Sequence, residues 1–185
     1  MPFDPFSDRT ARDIRNHLST ALVRDLTDGG DDVAAVAGEW LNRPLGEAYR
    51  RYVEGKAHRY REVMAEVRTN GITEVRLQAV ALWNAGLYFE LHELLETIWH
   101  EAAEPERTAL KGWIQAAGAY LHWERGKADA ARGLARRARR HLAAGAVALS
   151  FIVNLDQLIQ ALDRPVPRAL RLQVDATRRC AGGDE

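Results

Sequence analysis

Residues 88–99 read YFELHELLETIW. Wound at about 100° per residue, this stretch puts Ala85, Tyr88, Phe89, Leu95, Glu96 and Trp99 on the same side as His92. Glu90, Glu93 and Thr97 fall away from the centre of that side, as edge or surface residues. The periodicity predicts an amphipathic helix, and with it an all-α fold. It also predicts that the helix aims an imidazole and a carboxylate, one turn apart, at its own core. A carboxylate buried there without partners would cost several kcal/mol. The i,i+4 spacing lets His92 serve as one partner of Glu96. The phenol of Tyr88 and the indole N–H of Trp99 are further candidate donors.

Moving outward, residues 104–126 read EPERTALKGWIQAAGAYLHWERG. Glu104-Pro105 starts a new helix, with Pro105 in its first turn, and Gly126 stops it. Lys111, Gln115, Gly118 and His122 form one continuous stripe. If this helix folds back on the first, Gln115 and His122 face His92 and Glu96. The expected result is a small polar pocket of His92, Glu96, Gln115, His122 and Tyr88, walled by Trp99, Trp113 and Trp123.

The rest of the chain carries helical periodicity with Gly and Pro between segments. Ser7 is read as the cap of a helix to about Thr27. A second starts at Asp31 or Asp32, and a third covers about Leu45 to Arg68. Thr73 is read as the cap of a helix to about Trp83, and the helix of the opening stretch runs on to about Ala102. Lys127 to Ala144 is another. Asn154 with Gln157 reads as a capping box, and Val153 with Leu158 as a hydrophobic staple, so the last helix is placed from Asn154 to about Asp163. The predicted architecture is a compact helical bundle with short antiparallel connections. Residues 71–163 are taken as its core, 1–70 as an N-terminal helical extension packed on it, and 164–185 as a tail.

The totals set limits. The chain has 185 residues, 26 Lys+Arg against 26 Asp+Glu, and one cysteine, Cys180. Zero net charge argues against a global field for nucleic acid or an anionic membrane. One cysteine excludes an internal disulfide and a cysteine-based zinc site. The N-terminus, MPFDPFSDRTARD, has acids and prolines where a signal peptide needs an apolar run. The longest apolar run, AAGAVALSFIV, is too short to span a bilayer. A cytoplasmic protein with no membrane partner is expected.

GLYFELHELLETIW, ERTALKGWIQAAGAYLHWERG and ARGLARRARRHL together resemble the prokaryotic domain-of-unknown-function 309 family. Its His-x-x-x-Glu-x-x-Trp/Tyr hallmark falls on His92, Glu96 and Trp99. Its Gly-x-Ile-Gln run falls on Gly112, Trp113, Ile114 and Gln115, and the small-residue stretch after it leads to His122. The resemblance covers roughly residues 76–163. It implies a helical bundle, metal binding at the motif and, for some members, metal-dependent hydrolysis.

Several readings follow. A divalent Zn, Mn, Fe or Ni ion would take His92 and Glu96, with His122 from the neighbouring helix and His100 at the edge. Glu93 would be the free carboxylate that acts as base. Position 96 is Glu rather than the second His of the metalloprotease helix, and the absence of a Glu-x-x-His pair disfavours a di-iron bundle. Alternatively the pair is a structural hydrogen-bond network, or a metal-free pocket for an unidentified small molecule. The bundle could also be a homodimer module using some of its five Trp. A minor reading gives RNA or phosphate to the face of Arg132, Arg136, Arg139 and Arg140. His17, His58 and His141 receive no role.

Overall fold

The structure, a computed structural model, describes residues 3–163 and 169–175. Among these it is all α-helical, with one isolated antiparallel bridge, Ile152 to Val174. No helix of the described residues is long and apolar enough to cross a membrane. The chain divides into two compact units, Met1–Thr69 and Asn70–Glu185.

The first unit contains α1 (Arg9–Asp28), α2 (Asp32–Leu41) and α3 (Glu47–Thr69). The cap of α1 is Asp8, whose carboxylate accepts from the Thr10 N–H at 2.8 Å. Ser7, the expected cap, instead donates to Asp4 at 2.7 Å. Gly29 stops the helix in the left-handed region, φ 77°. The orphan N–H groups of α2 are met from the previous helix: buried Asp25 accepts from Asp32 at 2.6 Å and Val33 at 3.0 Å. Ile14, Leu18, Leu22, Val33, Trp40, Val53 and Tyr60 fill the core of this unit.

The second unit contains α4 (Val75–Asn84), α5 (Tyr88–Trp99), α6 (Glu106–Glu124), α7 (Ala128–Ala144), a 3₁₀ turn (Ala146–Leu149) and α8 (Leu155–Ala161). Two of its connections are the same device. After α4, Gly86 N–H bonds Trp83 O and Leu87 N–H bonds Leu82 O, both at 2.9 Å. After α6, Gly126 N–H bonds Trp123 O and Lys127 N–H bonds His122 O, again at 2.9 Å. Each is a paired closure of the last carbonyls around a positive-φ glycine. Each lets the next helix begin almost at once.

Three start signals read differently from expectation. The residue before α4 is Glu74 rather than Thr73, and it makes no side-chain cap. At α6 it is Pro105, and the Glu104 carboxylate accepts from Thr108 N–H at 3.2 Å. At α8, Asn154 does not cap its helix. Its side chain binds chain that sequence local to α8 could not reveal: Nδ2 donates to Arg171 O at 2.9 Å and Oδ1 accepts from Gln173 N–H at 2.9 Å. Val153 is 65% exposed, so no staple forms with Leu158.

Within the expected tail, residues 169–175 are bound to the helices. Asn84 treats Leu172 as Asn154 treats its neighbours, donating to its carbonyl at 3.0 Å and accepting from its N–H at 2.7 Å. Trp83 Nε1–H donates to Leu170 O at 2.8 Å, and Leu172 is buried. Residues 164–168 and 176–185, including the Pro165–Pro167 stop and Cys180, lie outside the described residues.

The α6/α7 pair is the closest in the unit. A Cβ added at Gly112 would lie 2.7 Å from Leu142 N, and one at Gly145 would lie 2.6 Å from Ala109 N. Ala131, Ala135, Ala138 and Leu142 form the buried face of α7. Small residues at these positions let two backbones touch, which fixes how α6 is rotated about its axis.

Candidate functional site

The buried face of α5 is made by Tyr88, Leu91, Leu94 and Leu95, continuing from Leu87. Its centre lies roughly 100° around the helix from His92. His92 and Glu96 are therefore on a flank, with side chains 35% and 42% exposed, and not at the centre of the core stripe. The aromatic residues misled because Phe89 and Trp99 are only half-buried, while the leucines carry the packing. Glu90 is the inverse case: expected at the edge, it is completely buried.

The flank holds a cluster. His92 Nδ1 is 3.2 Å from Glu93 Oε1, and His92 Nε2 is 3.4 Å from Glu96 Oε1. The imidazole thus lies between two carboxylates, with Phe89 parallel to it at 6.4 Å. One ligand atom from each of His92, Glu93 and Glu96 can be chosen so that all lie within 4.8 Å of one another. When Nδ1–H donates to Glu93, the Nε2 lone pair is left beside Glu96.

The other expected members of the pocket are placed elsewhere. Tyr88 is a core aromatic, stacked on Tyr120 at 5.3 Å and edge-on to Trp83 at 5.3 Å. The indole N–H of Trp99 donates to Arg107 O at 3.1 Å, so its expected role as donor to Glu96 is already filled. Gln115 Oε1 is 2.8 Å from His141 Nδ1 on α7. Gly118 of the same stripe faces Leu134 of α7, 3.3 Å from a built Cβ. The Lys111–Gln115–Gly118–His122 stripe therefore runs along α7 and does not close a chamber on His92. Trp113 is fully buried near Phe151, and Trp123 packs edge-on to Tyr120. His122 and His100 are not in the three-residue cluster. The desolvation of His122, with Lys127 and Arg125 nearby, lowers its pKa below the usual imidazole value.

Glu93 lies at the edge, as its position on the helix predicts, but its pairing with His92 was not predicted. Neighbours at i,i+1 point apart by about 100° on a helix. No spacing rule would join Glu93 to His92; the pairing depends on the ring turning between both acids.

The donor set fits a divalent ion. One imidazole nitrogen with carboxylate oxygens suits Zn, Mn, Fe or Ni. In a tetrahedral shell with bonds near 2.1 Å, ligand atoms sit roughly 3.4 Å apart. The His92 Nε2–Glu96 Oε1 distance of 3.4 Å already matches that edge. Glu93 Oε1 lies 3.2 Å from the other ring nitrogen, Nδ1, so as the side chains stand the ligand pair is His92 and Glu96.

Residues 77–134 match the family model described as a domain of unknown function (DUF309). The match starts in α4, includes all of α5 and α6, and ends inside α7. It is shorter than the 76–163 expected from the motifs. No curated protein and no solved structure matches the chain.

Proposed function

We propose that this chain, of the DUF309 family over residues 77–134, holds a divalent metal ion at His92 and Glu96 on α5 and uses it in hydrolytic chemistry. The observation that carries the reading is the imidazole held between two carboxylates, with Nε2 and Glu96 Oε1 at 3.4 Å. Glu93 is the positioning residue. By accepting from Nδ1–H it fixes the tautomer that turns the Nε2 lone pair toward the Glu96 side, where the ion would bind, and makes the ring a better donor. This replaces the role of free base considered for Glu93. A bound ion would acidify water and polarise an electrophile. The half-exposed flank leaves room for water and substrate beside the two ligands.

The exposure also weighs against a purely structural network. A surface His–Glu pair at i,i+4 contributes about 0–1 kcal/mol. The packing of α5 rests on Leu91, Leu94 and Leu95, none of which needs the cluster.

Elemental analysis of tag-free protein prepared without chelators tests this. The wild type should carry about one divalent ion per chain, and His92→Ala/Glu96→Ala should lose it while its stability falls by less than about 1 kcal/mol. Glu93→Gln should weaken metal binding by roughly 10–100-fold without abolishing it. No metal in the wild type after reconstitution, together with a large stability loss in the double mutant, would sink the proposal in favour of the network.

A further inference from the structure

The basic residues of α7 are not equally neutralised. Arg132 pairs with Asp129, and Arg139 pairs with Asp163. Arg136, Arg137 and Arg140 form no hydrogen bond or ion pair among the described residues. These three lie opposite the Ala131–Ala135–Ala138–Leu142 face and are all exposed. Arg137 and Arg140 are three apart and so neighbours on the helix surface.

A fourth cation joins them from α6. The backbone contact at Gly112 brings the neighbouring Lys111 alongside His141. Gln115, one turn further along α6, holds the His141 ring through Nδ1 at 2.8 Å. With Nδ1–H donating to Gln115 Oε1, Nε2 remains the free edge of the imidazole. Desolvation lowers the pKa of this ring, and Lys111, Arg140 and Arg137 act on it in the same direction; Glu104 is the one acid acting in the opposite sense. The whole chain has equal numbers of acidic and basic residues, so this concentration is local.

We infer that Lys111, Arg137 and Arg140, arranged around His141, form a binding site for a phosphoryl group. Two guanidinium forks and an ammonium supply donors to several oxygens of one tetrahedral anion, and Arg geometry favours such bidentate contacts. Protonated His141 adds a donor through Nε2 when the anion is present. Gln115 keeps the ring oriented for this, and the rigid α6/α7 contact keeps both halves of the site in register. The site differs from the face of Arg132, Arg136, Arg139 and Arg140 expected from sequence: it keeps only Arg140, omits Arg136 and the two arginines paired with aspartates, and gains Arg137 and Lys111.

His141 is a built-in reporter. The test uses full-length protein carrying His92→Ala/Glu96→Ala, so that pyrophosphate cannot act through metal. The His141 pKa is followed by NMR during pyrophosphate titration at constant ionic strength. Saturable binding should raise it by about one unit, because a bound anion favours the imidazolium. Lys111→Gln/Arg137→Gln/Arg140→Gln, whose altered residues are exposed, should keep its helical circular dichroism and lose the pyrophosphate-dependent rise. A rise that chloride reproduces at equal ionic strength, or one that persists in the triple mutant, would overturn the inference. A parallel titration with a single-stranded oligonucleotide identifies the source of the phosphoryl group. Binding at least ten-fold tighter than pyrophosphate, with steep salt dependence, assigns it to a nucleic-acid backbone; equal or weaker binding assigns it to a small phosphate ester.

Discussion

The hydroxyl of Tyr120 is buried among Trp83, Tyr88 and Trp123 and has no hydrogen-bond partner among the described residues. Burial raises its pKa, as expected when a phenolate would have to form away from water. An unsatisfied buried hydroxyl is a net cost, so Tyr120→Phe should stabilise the protein by about 1 kcal/mol in urea unfolding. A loss of stability would show that the hydroxyl is satisfied in solution. The same scale explains what sequence could tell about the candidate site. His92 and Glu96 were legible as a pair because i,i+4 geometry is internal to one helix. Their exposure was not, because it depends on which flank of α5 faces outward, and that choice was made by Leu91, Leu94 and Leu95 rather than by the aromatics. Glu90, expected at the edge, is wholly buried for the same reason, whereas Glu93 keeps its place at the edge and pairs with His92 Nδ1.

At the level of elements, helix existence followed from periodicity, whereas partners beyond one helix did not. Gln115 was correctly placed on a polar stripe, but that stripe turns toward α7 because Gly112 and Gly145 let the two backbones meet. Asn154 looked like a cap because a residue 19 positions away, Gln173, cannot be seen in a local pattern. The close contact makes a direct prediction. A Cβ at Gly145 would meet the N, Cα and Cβ of Ala109 at 2.6–2.7 Å, so main chain and not a flexible side chain must yield. Gly145→Ala should cost about 1–3 kcal/mol, and Gly112→Ala a similar amount. Gly133→Ala is the control. Its nearest neighbour is the mobile end of Arg137 at 3.9 Å, so the gain in helix propensity should stabilise by about 1 kcal/mol. Thermal unfolding of the three variants checks both signs; equal effects would mean that the α6/α7 separation is looser than the structure describes.

For the molecule as a whole, the zero net charge conceals two histidines held away from protonation. Burial is the leading cause at both His122 and His141, and neighbouring cations add to it: Lys127 and Arg125 at the first, Lys111, Arg140 and Arg137 at the second. Glu104 opposes the shift at His141 without reversing it. Both folded-state values lie below the ordinary 6.5, so above that pH neither histidine distinguishes folded from unfolded chain. As pH falls below 6.5, the unfolded chain takes up protons that the folded chain resists, and stability declines until each folded pKa has been passed. Stability in urea should therefore drop between pH 7.5 and about pH 5, before most carboxylates titrate. His141→Gln, which removes the titrating ring at an incompletely buried position, should flatten part of that slope, and adding His122→Gln should flatten more. An unchanged slope in the double variant would show that other groups govern the acid side, and that the field around His141 is weaker than its neighbours indicate.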